Sequence, residues 1–304
     1  MSADVADRAT EAAPSGPTRP AGPPRTRLEV GSSAAFTLAL LSLTLLLHLM
    51  VLSGVSQARE QAVLYDAFRA DVAGGFVPVG PTAEVGSAVA LLTIPAIGVD
   101  EVVVEGSASG DLRAGPGHRR DTVLPGQVGV SVVQGRAVTY GGPFARLDEL
   151  AVGDVVEVVG AQGRQRLAVT GLRRAGDPLP GPLADGEARL TLVTAATDTS
   201  LGPFGTGEVL YVDTSTVPVD GEGFPAPGGV PGAVPAGEKP QHVDTAALPL
   251  LALQLGGLCV AVVGIALLRR RVTGALVWVV STPVVLALAW ATADSASRLL
   301  PNLL

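Results

Sequence analysis

The stretch ARLTLVTAATDTS, Ala188 to Ser200, has the apolar and β-branched composition of a strand running up to a loop. Strand ends that open on loops commonly carry reactive side chains, because the scaffold fixes the backbone while the loop leaves the side chain reachable. The residues at that place here are Ala195 and Ala196. A methyl group neither attacks a carbonyl nor moves a proton. The hydroxyls of Ser131, Thr139, Thr194, Thr197 and Ser200 are the alternative nucleophiles, and each needs an adjacent base. The histidines are His48, His118 and His242, so only His118 lies among the β-rich runs. It follows GPG and reads as a turn or surface histidine. The single cysteine, Cys259, rules out an intrachain disulfide or a multi-cysteine metal site, and its apolar surroundings make it a small hydrophobic residue. Asp100, Glu101, Glu105, Asp198 and Glu208 are candidate calcium ligands, but the EF-hand loop pattern is missing and solvated strand edges account for them. No cofactor and no metal is expected.

The elements that position these residues follow from hydropathy. The chain has 304 residues, 47% of them hydrophobic, and a net charge of −7. That acidity gives no support to nucleic-acid binding, which needs a basic face. The run AAFTLALLSLTLLLHLMVL is long enough to cross a bilayer, longer than the apolar region of a signal peptide, starts late and continues into SGVSQAREQAVLYDAFRADV, so an uncleaved anchor over 34–54 is expected. His48 lies within it and is a functional candidate as an intramembrane ionisable group. Two further spans are expected at 246–268 and 272–293, joined by Arg269 to Arg271, with Pro283 kinking the second. Arginines beside the spans give the orientation: residues 1–33, a Pro/Ala/Gly-rich disordered tail, inside; the central region outside; the arginine triplet inside; and a short tail, 294–304, outside. A stalk with helix-like spacing covers 55–87, and a Pro/Gly-rich linker covers 216–245.

Between these lies an all-β domain, 88–215. Its runs VALLTIPAI, DEVVVEG, GVSVVQG, DVVEVVG, QRLAVTGLR, ARLTLVTA and EVLYVD are short, rich in Val, Leu and Thr, and separated by Gly and Pro. That spacing indicates a barrel or sandwich, and the continuous apolar runs indicate strands buried on both faces or a closed barrel.

Four phrases occur in order: LTIPAIGVDEVVVEG, DLRAGPGHRRDTVLPGQVG, VVQGRAVTYGGPFARLDELAVGD and RLTLVTA. Together they resemble the sortases, membrane-anchored cysteine transpeptidases of Gram-positive bacteria, and among them the actinobacterial class E type. The resemblance implies a closed eight-stranded β-barrel, here flanked by one N-terminal and two C-terminal transmembrane helices. It also implies a chemistry in which a thiolate attacks a sorting signal, a histidine handles protons and an arginine steadies the anionic intermediate. At the matching positions the family's AGHR becomes QGRA, placing Arg136 where the histidine belongs. TLTTC becomes TLVTA, placing Ala195 where the cysteine belongs. The arginine position at the start of the next strand is taken by Gly207 or Glu208. No shift of register restores the set, because no histidine occurs between His118 and His242 and no basic residue between Arg189 and Lys239. Arg136 is expected either to pair with Glu208 across the former site or to hold a carboxylate or phosphate.

The expected protein is a sortase homologue in a bacterial cell membrane that lacks transpeptidase activity. It would act as a binding or scaffolding module for surface proteins with sorting signals or for an active sortase. The alternatives are an enzyme using a hydroxyl nucleophile and a membrane-complex subunit acting through its C-terminal spans.

Overall fold

A computed structural model of the chain describes residues 43–80, 83–196, 208–216, 223–229, 231–268, 271 and 273–304. The expected disordered tail, most of the first span, and Thr197, Asp198 and Ser200 lie outside the described residues. Of the first span, residues 43–47 are helical and His48–Leu52 form a π-helical turn leading into α1, Ser53–Gly74.

Eight strands form a closed barrel: β1 Ala88–Ile94, β2 Val99–Glu105, β3 Gly117–His118, β4 Gly129–Gln134, β5 Val155–Gly160, β6 Gly163–Arg174, β7 Ala188–Ala195 and β8 Val209–Thr216. Around the wall the order is β1-β2-β3-β4-β7-β8-β6-β5, with β5 closing on β1. Only β2/β3 and β4/β7 are parallel. The seven apolar runs each become a strand. The eighth, β3, has two residues.

The barrel interior holds Leu92, Ile94, Val133, Phe144, Leu147, Leu167, Leu190, Leu192, Leu210 and Val212. Alternation puts Val132, Val193, Ala195 and Val209 on the outside of the wall, where they meet Leu112, Ala137 and Leu303 in a second apolar cluster. The central strand β7 is therefore covered on both faces, which is why its sequence is apolar without a polar stripe.

The shortness of β3 leaves Val102 of β2 without a strand partner on one edge. The Gln61 amide of α1 fills the gap: its Oε1 accepts from the Val102 N–H at 2.7 Å and its Nε2 donates to the Val102 carbonyl at 3.0 Å. One turn earlier Gln57 donates to Glu101 Oε2 at 2.8 Å. Burial pushes the Glu101 carboxyl from 4.5 up to about 7, against the opposing effect of that hydrogen bond. The folded chain therefore holds this proton more tightly than the unfolded chain. Stability from this group is present below its unfolded value of 4.5 and is lost as pH rises through about 7. Glu101→Gln is expected to flatten that decline, which thermal melts of both proteins across this pH range would measure.

Two long apolar helices follow the barrel, α2 Leu248–Leu268 and α3 Gly274–Ser297. Segments Thr245–Ile265 and Ala275–Ser297 are long and apolar enough to cross a membrane. Helix α3 continues through Pro283. The two helices pack as a hairpin whose barrel-side ends are joined by a bond from the Asp244 N–H to the Arg298 carbonyl, 3.3 Å. The segment expected to be a free linker lies along the barrel in its described part. Gly228 donates to the Val79 carbonyl, Val128 donates to the Pro225 carbonyl, and the buried Glu238 carboxylate takes the Arg120 guanidinium.

Candidate functional site

The three positions singled out from the sequence come together because three strand ends are neighbours. The parallel pairing of β4 with β7 runs from Gly129↔Ala188 to Gln134↔Val193, and the Gly135 N–H continues it to the Val193 carbonyl at 2.9 Å. Arg136 therefore leaves β4 beside Ala195. On the other side Ala195 faces Val209 of β8, and the Ala196 N–H donates to the Glu208 carbonyl at 2.9 Å.

The expected ion pair between Arg136 and Glu208 does not form. Glu208 is 40% exposed and meets Arg174 of β6 at 3.3 Å. Arg136 turns the other way and is fully buried. Its Nη2 donates to the Ser109 carbonyl at 2.8 Å and to Ser109 Oγ at 3.1 Å, and its Nη1 donates to Thr139 Oγ1 at 3.0 Å. The guanidinium lies 5.1 Å from the centre of the Tyr140 ring, a cation–π distance. Its Nε has no partner. Burial pushes the guanidinium down to about 10, which leaves it charged at neutral pH. No carboxylate among the described residues forms an ion pair with it.

Tyr140, with φ of 53°, joins this site to the helices. Its N–H donates to Ser53 Oγ of α1, and its hydroxyl is 2.8 Å from Ser297 Oγ of α3. Arg113 stacks over the same ring and pairs with Asp294 of α3.

The last residues of the chain cover Ala195. Leu303 is fully buried in the outer cluster with Ala195, Val193 and Val132. Its carbonyl accepts from the Ala137 N–H at 2.9 Å, and the Leu304 carbonyl accepts from the Thr139 N–H at 3.2 Å and from Thr139 Oγ1 at 2.7 Å. The Asn302 side chain, also fully buried, donates to the carbonyls of Ser107 and Lys239 at 3.1 Å each and to Gln134 Oε1 at 3.3 Å. A cavity of about 10 Å³ lies elsewhere, lined by Pro78, Leu124, Gln127 and Gln165 among others, and touches none of the three positions.

His118 is neither at a turn nor on the surface. It is 2% exposed on β3, with Nδ1 2.9 Å from Glu105 Oε2 and Nε2 2.9 Å from the Val123 carbonyl. Thr122 Oγ1 also approaches Nε2, at 3.0 Å. A hydroxyl, an imidazole and a carboxylate in line have the outline of a nucleophile–base–acid set. The proton is in the wrong place for that: Thr122 Oγ1 donates to the Arg119 carbonyl at 2.7 Å and accepts from the Val132 N–H at 3.1 Å. Its lone pairs, not its proton, face the ring. Thr122 carries no signal in the sequence, because it reads as one more polar loop residue.

The other candidates are scattered. Thr194 Oγ1 donates to the Gly135 carbonyl at 3.0 Å, and Ser131 Oγ is buried without a partner. Asp100 accepts from Thr93, Glu101 from Gln57, and Glu105 faces His118, so these acids do not converge. His48 is buried edge-on against Trp290 of α3 with ring centres 4.9 Å apart. Cys259 is exposed on α2.

Residues 92–200 match the family model of the Sortase domain. Similar solved structures include the SrtF sortase from Corynebacterium diphtheriae, 25% identical, covering 52% of this chain and 95% of that one with a TM-score of 0.40. They also include a mutant sortase E from Streptomyces avermitilis, 29% identical, covering 43% and 88% with a TM-score of 0.36. A sortase transpeptidase from Clostridium perfringens is 20% identical, covering 53% and 96% with a TM-score of 0.40. No curated protein matches the chain.

Proposed function

We propose, from the premise that the chain carries a sortase domain over residues 92–200, that this domain binds peptide segments or partner proteins at the bacterial cell surface without performing transpeptidation. One observation carries the reading. Where the ends of β4, β7 and β8 meet, the chain offers the Ala195 methyl, a buried Arg136 and a Glu208 tied to Arg174. Acyl transfer of the sortase kind needs a thiolate there and a group to move its proton. The chain's one cysteine lies on an apolar helix, and the one imidazole in the barrel is held by Glu105 and Val123.

The two apolar helices anchor the domain, and the arginines flanking the spans favour an extracellular barrel. Surface proteins bearing sorting signals, or an active sortase handling them, are the partners this reading implies.

The test is incubation of the full-length chain in detergent with a fluorescent sorting-signal peptide and an amine acceptor. The expected result is retention of the peptide, read by anisotropy, with neither product nor an acylated protein mass. Cleavage above a protein-free control would overturn the reading.

A further inference from the structure

We infer that the groove outside β4, β7 and β8 is a peptide seat already filled in cis, with Pro301–Leu304 as a tethered plug over Ala195. The seat takes a short apolar turn that carries a primary amide, here closed by the Leu304 N–H on the Pro301 carbonyl at 3.0 Å.

Three independent features hold the segment. Leu303 is buried among Leu112, Val132, Ala137, Val193, Ala195 and Val209. The Asn302 amide has carbonyl or amide-oxygen acceptors from three separate parts of the chain, Ser107, Gln134 and Lys239. The backbone runs beside the turn after β4, where Ala137 and Thr139 donate to successive carbonyls of the segment.

The third feature also gives Arg136 a role. Its Nη1 donates to Thr139 Oγ1, and that hydroxyl in turn donates to the Leu304 carbonyl. A buried cation thus polarises the hydroxyl that holds the plug, acting as a positioning residue through Thr139. A ligand from another chain must displace Leu303 before it reaches Ala195, so binding in trans competes with binding in cis.

The inference rests on the binding-module reading, and its test reads a different quantity. In a Cys259→Ala background of the full-length chain, Ala195→Cys places a thiol under Leu303. Its alkylation by N-ethylmaleimide is expected to be at least about tenfold slower than in the same protein lacking residues 301–304, since reaction requires local release of the plug. Adding the free peptide Leu-Leu-Pro-Asn-Leu-Leu is expected to restore protection in the shortened protein. The same peptide with alanine for asparagine should restore less.

Equal alkylation rates with and without the segment, in proteins that both melt cooperatively, would overturn the plug. If the shortened protein has no melting transition, Leu303→Ser carries the same comparison with the backbone bonds retained. Peptide cleavage by the native chain would overturn the binding-module reading without touching the protection result, and equal labelling would do the reverse.

Discussion

Glu105→Ala is expected to destabilise the protein by about 3–5 kcal/mol, the usual cost of removing one member of a buried polar pair. Glu105 and His118 are 1% and 2% exposed, so the carboxylate is lost from a site closed to bulk solvent. The pair also locks the shortest part of the barrel. β3 contributes two residues, so the join from β2 through the parallel β2/β3 pair to the antiparallel β3/β4 pair has a short ladder, which the Glu105–His118 contact supplements. Replacing both residues by leucine is expected to cost less than the single change, because nothing polar is then stranded. Urea denaturation of Glu105→Leu, His118→Leu and the double leucine variant gives the coupling directly. A histidine kept for chemistry would behave differently: its loss would leave the melt unchanged.

Phe144→Ala is expected to cost a similar amount, about 3–5 kcal/mol, through the cavity left in a closed barrel. Phe144 is fully buried, and its N–H donates to the Arg136 carbonyl. Its ring also occupies the space beside Gly135, where a Cβ would lie 2.4 Å from the ring. That close approach explains glycine at the end of β4: the chain must pass against an aromatic face before turning to present Arg136. Losing the ring frees this turn, so the same variant should also loosen the seat of Leu303. Faster hydrogen exchange at Ala137 and Thr139, together with the lowered denaturation midpoint, is the expected signature.

The barrel was legible in the sequence because seven of its strands are long enough to show apolar, β-branched runs between glycines. β3 was not, since two residues after GPG carry no period. Its existence depends on Glu105 thirteen positions away, a contact no local pattern announces. For the same reason His118 reads as a surface residue and is buried.

Arg136, Ala195 and Glu208 were found by position within phrases, and parallel β4/β7 and antiparallel β7/β8 pairing makes those positions adjacent. The pairing of Arg136 with Glu208 failed for a geometric reason. Glu208 lies at the start of β8, next to β6, so the guanidinium within reach is that of Arg174. Arg136 follows its loop toward Ser109 and Thr139 instead. The seating of Pro301–Leu304 was invisible because its few apolar residues have no period and its partners come from five distant stretches of chain.

The bonds of Tyr140 to Ser297 and of Arg113 to Asp294 have a mechanical consequence. These contacts join the barrel to the apolar hairpin independently of the chain that links them. A nick introduced between residues 216 and 223 would leave two polypeptides that still fit each other, and the hairpin, made separately, would carry its own key to the barrel at its end. The barrel stands on the hairpin as a clamped head, and its reach is set by the helices beneath it.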